Sequence, residues 1–218
     1  MLTSITQIPN QPVTILLYEA GSSGEFLSYA LTSTIDQFSK IPMVWENNNR
    51  CIVQDYFGRT LLFGPINEDL LLSRINLYSQ MTHGEGKNRH MCLSHFMPHQ
   101  IDFLKTHGAM WPVLEITVQH PASKKFQQRA RRSKIPKDYQ ATSQASQTHI
   151  NRTALQRGFT PANHLEIEWH ELFLTDTVAT YQKILGFLNC TGNVEQFVDQ
   201  VNDYVNRNNL LLQETYES

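Results

Sequence analysis

The pattern of apolar and polar positions begins with a continuous apolar run at residues 13–18, just after two prolines. A run of β-prone apolar residues without polar alternation is typical of a strand buried on both faces of a parallel sheet. Small residues at 21–24 interrupt the run, and residues 25–39 then carry apolar side chains at helical spacing. The pattern therefore predicts a strand, a tight turn and a helix.

Further along the chain, short apolar runs alternate with segments of helical period. Two apolar pieces within region 42–64 fit either short strands or a loop. Strands separated by helices indicate an α/β domain with a mainly parallel sheet. The remaining predicted strands are 91–95, 113–118 and 164–169, and the remaining predicted helices are 67–81, one starting at Pro98, one running from Pro121 toward Arg132, 175–188 and 193–212.

The domain organisation is predicted to be simple. A chain of 218 residues and 25.2 kDa suits one domain. The sequence contains neither an internal repeat nor a linker rich in Gly and Ser. Residues 133–151 are polar and carry no strong period, so we expect a mobile loop there. We predict a single domain covering residues 1–218.

Composition and charge exclude several classes of function. Eighteen basic and 20 acidic residues give a net charge of −2, which argues against general nucleic-acid binding. The three cysteines form no CxxC pair, so neither a zinc ribbon nor a disulfide framework is supported. The N-terminal segment lacks the features of a signal peptide, and no apolar run approaches the roughly 20 residues of a membrane helix. We expect a cytoplasmic protein without a membrane span.

The strongest local signal is the turn Gly21-Ser22-Ser23-Gly24 between the first strand and the first helix. Backbone N–H groups at a helix N-terminus attract phosphate or sulfate, glycines allow close approach, and serine hydroxyls add donors. The turn is not a Walker loop, because no Gly-Lys-Ser/Thr follows, and Glu25 stands where a nucleophile elbow requires glycine. Two interpretations remain open at this point: an anion site, or an ordinary turn with a serine cap.

His95 is the second candidate, because it ends a predicted strand. Ligands of open parallel sheets bind beyond the carboxyl ends of the strands, where an imidazole could accept a proton from an attacking hydroxyl. The alternative is a surface or packing histidine, one of nine in the chain. A metal pair with His99 lacks a third ligand, and His170-Glu171 lacks the second histidine of the zinc-protease motif. We therefore predict no metal.

A basic stretch follows the predicted strand 113–118. Seven basic residues lie between Lys124 and Lys137 with no acid among them, and Lys125, Arg129 and Arg132 share one face at helical spacing. This face suits a phosphate-rich ligand, and a solvated surface beside a loop is the alternative. Few aromatic residues are interleaved for base stacking, which disfavours single-stranded nucleic acid.

Taken in chain order, four segments resemble the sulfotransferase family. Residues 13–27 resemble the family's strand and loop for a 5′-phosphosulfate. Leu93-Ser94-His95-Phe96-Met97-Pro98 resembles the segment that supplies the catalytic histidine in many members. Residues 113–121 resemble the strand and turn that lead to the 3′-phosphate site, and residues 164–188 resemble the family's late strand and helix.

The resemblance implies a three-layer α/β sandwich with a P-loop-like topology. It also implies 3′-phosphoadenosine 5′-phosphosulfate (PAPS) as the co-substrate, without a metal. The implied reaction transfers a sulfuryl group from PAPS to a hydroxyl or amine acceptor, with His95 as the general base. The implied cofactor-binding residues are Gly21, Ser22, Ser23, Gly24, Ser123, Lys125 and Arg129.

The sequence also departs from the family pattern. Ala20 and Gly21 stand where the family loop carries a Lys or Arg. Gln119 and Gln127 stand where the family carries the Arg and Ser that bind the 3′-phosphate. Two alternatives therefore remain open. One is a non-catalytic relative that binds an anionic ligand or a partner protein, and the other is a different P-loop-like nucleotide-binding enzyme, such as a kinase.

Overall fold

The computed structural model describes residues 13–19, 21–41, 43–45, 51–53, 89–94, 111–121, 123–125, 127 and 163–209. The four predicted strands are present, each within one residue of its predicted bounds, and the two ambiguous pieces also form strands. In chain order the elements are β1 (Val13–Leu17), α1 (Gly24–Thr34), β2 (Met43–Trp45), β3 (Cys51–Val53), β4 (His90–Ser94), β5 (Val113–Thr117), β6 (His164–Glu168), a π-helical turn (Glu171–Thr175), α2 (Thr177–Leu188) and α3 (Val194–Arg207).

The central sheet has the strand order β4-β1-β5-β6, and every pairing is parallel. Leu17 pairs with Ser94 on one side and with Glu115 on the other, and Thr117 pairs with Glu168. The carboxyl ends of the strands therefore lie at one edge of the sheet, where open α/β sheets bind their ligands. β2 and β3 pair antiparallel in a separate two-stranded sheet.

Both faces of the central sheet are buried along β1, β4 and β5, whereas the edge strand β6 is partly exposed. Alternate residues of its strands join one hydrophobic cluster with the buried sides of α1, α2 and α3. The residues between them are equally inaccessible, since Ile15, Leu17, Cys92 and Val113 are all 0% exposed. Burial on both faces explains why these strands read as continuous apolar runs. The predicted α/β fold with a covered parallel sheet is confirmed.

Helix α1 ends earlier than its apolar period predicts. Ile35 has an extended backbone, with φ −96° and ψ 122°, and forms an isolated antiparallel bridge with Gly192. Phe38 forms a second isolated bridge, with Arg89. Both apolar side chains are buried in the core. Ile35 and Phe38 are therefore apolar because their side chains are buried beside two isolated bridges, and not because α1 has a further turn.

The π-helical turn before α2 is missing from the sequence prediction. The N–H of Asp176 donates to the carbonyl of Glu171 at 2.8 Å, across five residues instead of the four of an α-helix. This wider turn carries Leu172 and Phe173 into the core. One such turn has no period of its own, so an apolar pattern does not reveal it.

Helix α3 begins where the sequence predicts. The side chain of Asn193 accepts the N–H of Gln196 at 3.0 Å, as an N-cap does. Among the described residues, no helix has both the length and the apolar character needed to cross a membrane. The predicted helices at 67–81 and after Pro98, and the predicted mobile loop at 133–151, lie outside the described residues. The single-domain organisation stays a prediction.

Candidate functional site

The β1–α1 loop, residues 18–23, leaves the sheet at its carboxyl edge. The N–H of Tyr18 bonds to the carbonyl of Ser94 at 3.1 Å, so the loop starts beside the end of β4. The carbonyl of Glu19 accepts the N–H of Ser22 at 3.1 Å and its hydroxyl at 2.7 Å. Ser22 is 0% exposed, so the two hydrogen bonds that stabilise this turn are shielded from solvent.

The small residues of the loop are needed by its backbone. Gly21 has a φ of 86° and Ser23 a φ of 64°, both in the left-handed region. Glycine adopts this region freely, whereas the Cβ of serine makes it unfavourable by about 1 kcal/mol or more. At Gly24 the constraint is space, because a Cβ there would overlap the ring of Tyr18. The fold itself therefore requires Gly21 and Gly24, whereas the sequence pattern suggests that these glycines allow close approach of a ligand.

The Ser23 side chain is held by two residues that are distant in the sequence. Its hydroxyl lies 2.6 Å from the hydroxyl of Tyr204 in α3. It also accepts a hydrogen bond from the Nε1–H of Trp169, just after β6, at 3.2 Å. Ser23 occupies the N-cap position of α1, but its side chain makes no capping bond. The first turn of α1, whose N–H groups have no acceptor within the helix, therefore lacks the usual serine cap.

The turn after β5 is fixed by a carboxylate from β6. Glu168 accepts the N–H of Gln119 at 3.1 Å and the N–H of His120 at 3.2 Å. His120 also stacks on His170, with the ring centroids 3.7 Å apart. Because Glu168 and His170 flank Trp169, the end of β6 contacts both the β1–α1 loop and the turn after β5.

The β1–α1 loop and the helical stretch after β5 meet at this edge. The Nε2 of Gln127 donates to Oε2 of Glu19 at 2.9 Å. Ser123 lies one helical turn earlier on the same face and is 1% exposed, and its hydroxyl has no hydrogen-bond partner in the described part of the chain. A buried hydroxyl without a partner costs roughly 1–3 kcal/mol, so this atom is a candidate to bond a ligand. The neighbouring Lys124 and Lys125 are exposed.

Comparison with solved structures finds this fold in sulfotransferases. The sulfotransferase domain from the curacin biosynthetic pathway gives a TM-score of 0.53 at 13% identity, over 85% of this chain and 77% of that one. A sulfotransferase from Alicyclobacillus acidocaldarius gives a TM-score of 0.51 at 11% identity, over 92% of this chain and 95% of that one. The chain has a sulfotransferase-like fold. At the level of sequence, no family model and no curated protein matches it.

Within the sulfotransferase-like fold, most of the predicted cofactor-binding residues lie in the two segments that Gln127 and Glu19 join. His95 and Arg129 lie outside the described residues, and their roles stay predictions. Ser94, the residue before His95 in the sequence, ends β4 at the carboxyl edge of the sheet. The residues within the two segments are Gly21, Ser22, Ser23, Gly24, Ser123 and Lys125.

The two loop serines use their hydroxyls inside the protein. The hydroxyl of Ser22 donates to the carbonyl of Glu19, and the hydroxyl of Ser23 is shared between Tyr204 and Trp169. An anion in this loop would therefore be bound mainly by backbone N–H groups.

The β1–α1 loop and the start of α1 carry negative charge. Residues 18–27 contain Glu19 and Glu25 and neither Lys nor Arg. The Gln127 amide offsets part of the Glu19 charge through its hydrogen bond. In the described part of the segment after β5, positive charge comes from Lys124 and Lys125. The electrostatic attraction for an anion is therefore weighted toward the β5 side of the site.

Three residues that build the site, Glu168, Trp169 and Tyr204, have no clear signal in the sequence. Acids that alternate with apolar residues indicate the solvated face of a strand, and Glu166 is exposed as that pattern suggests. Glu168 has the same pattern but bonds to the turn after β5. Tyr204 belongs to the apolar stripe of α3, so the sequence pattern does not distinguish it from an ordinary core residue.

A separate polar cluster lies on β5 and β6. His164 Nε2 is 2.8 Å from Oε2 of Glu115, which is fully buried. Glu166, the strand partner of Glu115, brings the ligand atoms of the group within 4.8 Å of one another. These residues could hold a cation, but the hydrogen bond between His164 and Glu115 already accounts for the closeness of two of the three side chains. The cluster assigns no metal, and the absence of a metal stays a prediction.

Proposed function

We propose that the protein binds PAPS and transfers its sulfuryl group to a hydroxyl or amine acceptor. The observation that carries the proposal is the hydrogen bond between Gln127 and Glu19. In a sulfotransferase-like fold, this bond joins the two segments that the resemblance assigns to the two ends of the nucleotide. Three further features support the same proposal. The loop lies at the carboxyl edge of a parallel sheet, Gly21 and Ser23 have left-handed backbones, and the Ser23 side chain does not cap α1.

Nucleotide binding would divide between the two segments. Backbone N–H groups at the start of α1 would hold the 5′-phosphosulfate, because the first N–H groups of a helix have no acceptor within the helix and the helix dipole favours an anion. The buried hydroxyl of Ser123 fits a hydrogen bond to the nucleotide, since it has no partner in the described part of the chain. Lys125 and Arg129 would add positive charge at the 3′-phosphate. PAPS supplies the activated sulfuryl group.

The chain's own residues would orient the reactants and stabilise charge. His95 would accept the proton from the acceptor hydroxyl as it attacks in line with the leaving phosphate. Backbone donors would stabilise the charge that develops on the sulfuryl and phosphate oxygens. Holding both reactants at one sheet edge would supply much of the remaining acceleration.

Calorimetric titration tests nucleotide binding and separates this proposal from the kinase-like alternative. We expect adenosine 3′,5′-bisphosphate to bind without metal, and S123A to weaken binding about fivefold by removing one hydrogen bond. S33A is the matched control, because Ser33 lies at the other end of α1 and bonds to the carbonyl of Ala30. Binding of ATP with magnesium instead would indicate a kinase-like enzyme. Binding of neither nucleotide would contradict the proposal.

The role of His95 is tested by transfer kinetics. We expect H95A to slow PAPS-dependent transfer at least ~100-fold, the lower end for removal of a general base. Its affinity for adenosine 3′,5′-bisphosphate should equal that of the wild type, because the histidine acts on the acceptor. A variant that transfers at the wild-type rate would remove His95 from the mechanism.

A non-catalytic relative that binds an anionic ligand or a partner protein is the second candidate. The charge of residues 18–27 favours it, since Ala20 and Gly21 stand where the family carries a basic residue and the charged residues nearby, Glu19 and Glu25, are acidic. Gln127 also bonds to Glu19 at the position where the family carries a phosphate ligand. Such a protein would show no PAPS-dependent transfer, and if its ligand is a partner protein it would bind neither nucleotide.

A further inference from the structure

Ser23 has an unusual conformation for the residue that begins a helix. A capping serine normally has an extended backbone, and its hydroxyl accepts an N–H from the second or third residue of the helix. Ser23 instead has a φ of 64° and makes no capping bond. A serine stays in this unfavourable region only when its surroundings enforce it.

Tyr204 and Trp169 supply that enforcement. Their polar atoms lie 2.6 Å and 3.2 Å from the Ser23 hydroxyl, respectively. Both side chains are themselves fixed, since Trp169 is 2% exposed and Tyr204 is 6% exposed. The ring of Tyr204 also stacks on Phe26 of α1, with the ring centroids 4.1 Å apart.

We propose that Tyr204 and Trp169 are positioning residues that hold the β1–α1 loop in its anion-binding conformation. By holding the Ser23 hydroxyl, they prevent Ser23 from becoming extended and capping α1. A cap would occupy an N–H group that an anion requires. The inference rests on the proposed function for the identity of the anion, which is the 5′-phosphate end of the nucleotide.

The Tyr204 hydroxyl can be removed without its ring. In Y204F the stacking on Phe26 remains, and we expect the affinity for adenosine 3′,5′-bisphosphate, measured by calorimetry, to fall about five- to tenfold. Y181F is the matched control. Tyr181 is also buried and stacked, on Phe197 at 4.0 Å, and its hydroxyl donates to Thr34 at 2.9 Å, at the other end of α1.

Y181F should lower the free energy of unfolding and leave the affinity unchanged. Equal losses of affinity in Y204F and Y181F would indicate a general structural effect and overturn the inference. Unchanged affinity in Y204F would overturn it as well.

Glycine at position 23 provides a rescue test, because glycine adopts a φ of 64° without enforcement. In S23G the loop keeps its shape and has no hydroxyl for Tyr204 to hold. Adding Y204F to S23G should therefore change the affinity by less than about twofold. The full Y204F loss on the S23G background would show that Tyr204 acts through another contact.

Amide hydrogen exchange distinguishes failure of the inference from failure of the proposed function. In Y204F, Ser23 is released to cap α1, so exchange of the Phe26 N–H should slow about fivefold or more relative to the wild type. This measurement needs no nucleotide. Unchanged exchange at Phe26 would contradict the positioning role, whereas a wild-type protein that does not bind the bisphosphate would contradict the proposed function.

Discussion

Two glycines show how space at single residues shapes the framework of the site. A Cβ on Gly24, the first residue of α1, would overlap the ring of Tyr18. A Cβ on Gly192 would overlap the Tyr181 hydroxyl and lie 2.9 Å from the carbonyl of Thr34, at the other end of α1. The packing at each end of α1 is therefore so close that a side chain fits neither at position 24 nor at position 192 without a shift of its neighbours.

The contact at Gly24 predicts a large effect of one methyl group. We expect G24A to lower the free energy of unfolding by about 2–3 kcal/mol, because an overpacked core must shift backbone or rings. G186A is the matched control. Gly186 is also helical, in α2, and apart from its own helix backbone no atom of the described residues lies within 4 Å of the position that a methyl group would take. That change should stabilise by about 0.5–1 kcal/mol, because alanine favours a helix more than glycine does.

Urea unfolding of G24A and G186A measures both effects. A G24A protein as stable as the wild type would show that the Tyr18 ring moves aside without cost.

At the scale of elements, one acid at the end of β6 determines the shape of the neighbouring turn. Glu168 also accepts the Thr117 hydroxyl at 2.8 Å, so it binds the end of β5 as well as the turn that follows. Bonds to a charged acceptor are roughly twice as strong as neutral ones. This carboxylate therefore fixes the start of the segment that carries Ser123 and Lys125.

We expect E168A to weaken adenosine 3′,5′-bisphosphate binding about tenfold or more, because it releases the turn after β5. E168Q should lose less, since its amide oxygen still accepts one N–H. E166A is the control, because Glu166 is exposed two positions earlier on the same strand. Calorimetry compares the three variants, and equal affinities of E168A and E166A would show that the turn holds its shape unaided.

The elements also show where sequence patterns succeed and where they end. The buried strands are predictable, because a parallel sheet covered on both faces requires continuous apolar runs. The end of α1 is not, since Ile35 and Phe38 are apolar for burial in two bridges and happen to continue a helical period. The π-helical turn cannot be predicted either. The Glu171 carbonyl accepts the N–H five residues later instead of four, and this change requires no particular residue type.

At the scale of the whole molecule, burial of an ionisable group links the core to pH. His90 begins β4 beside Val13, at the edge of the sheet opposite the β1–α1 loop. It is 2% exposed, and burial lowers its pKa to about 4 from an ordinary value of 6.5. The folded protein therefore keeps His90 neutral at a pH where the unfolded chain binds a proton.

The sign of the effect follows from proton linkage. The contribution of His90 to stability is fully present above pH 6.5 and is lost as the pH falls from 6.5 toward 4. Between pH 7.5 and 5 we expect the free energy of unfolding to fall by up to about 2 kcal/mol through this residue. Urea unfolding of H90N should lack that part of the pH dependence. Equal dependence in both proteins would contradict the assignment.

The candidate site was predictable in part, because its glycine and serine turn is contiguous in the sequence. The contacts that hold the turn are not contiguous. Ser23 meets Tyr204 across 181 residues, and Glu19 meets Gln127 across 108. No residue pattern specifies such pairs, since only the order β4-β1-β5-β6 and the packing of α3 bring them together.

The contact between Ser23 and Tyr204 also has a consequence for synthesis on the ribosome. The loop is synthesised before the tyrosine that holds it, and 181 residues separate the two. At roughly 5–20 residues per second, the nascent loop exists for on the order of ten seconds or more before its partner is translated. During that interval Ser23 is free to cap α1. We therefore expect a nascent chain to become able to capture nucleotide only after Tyr204 has been synthesised.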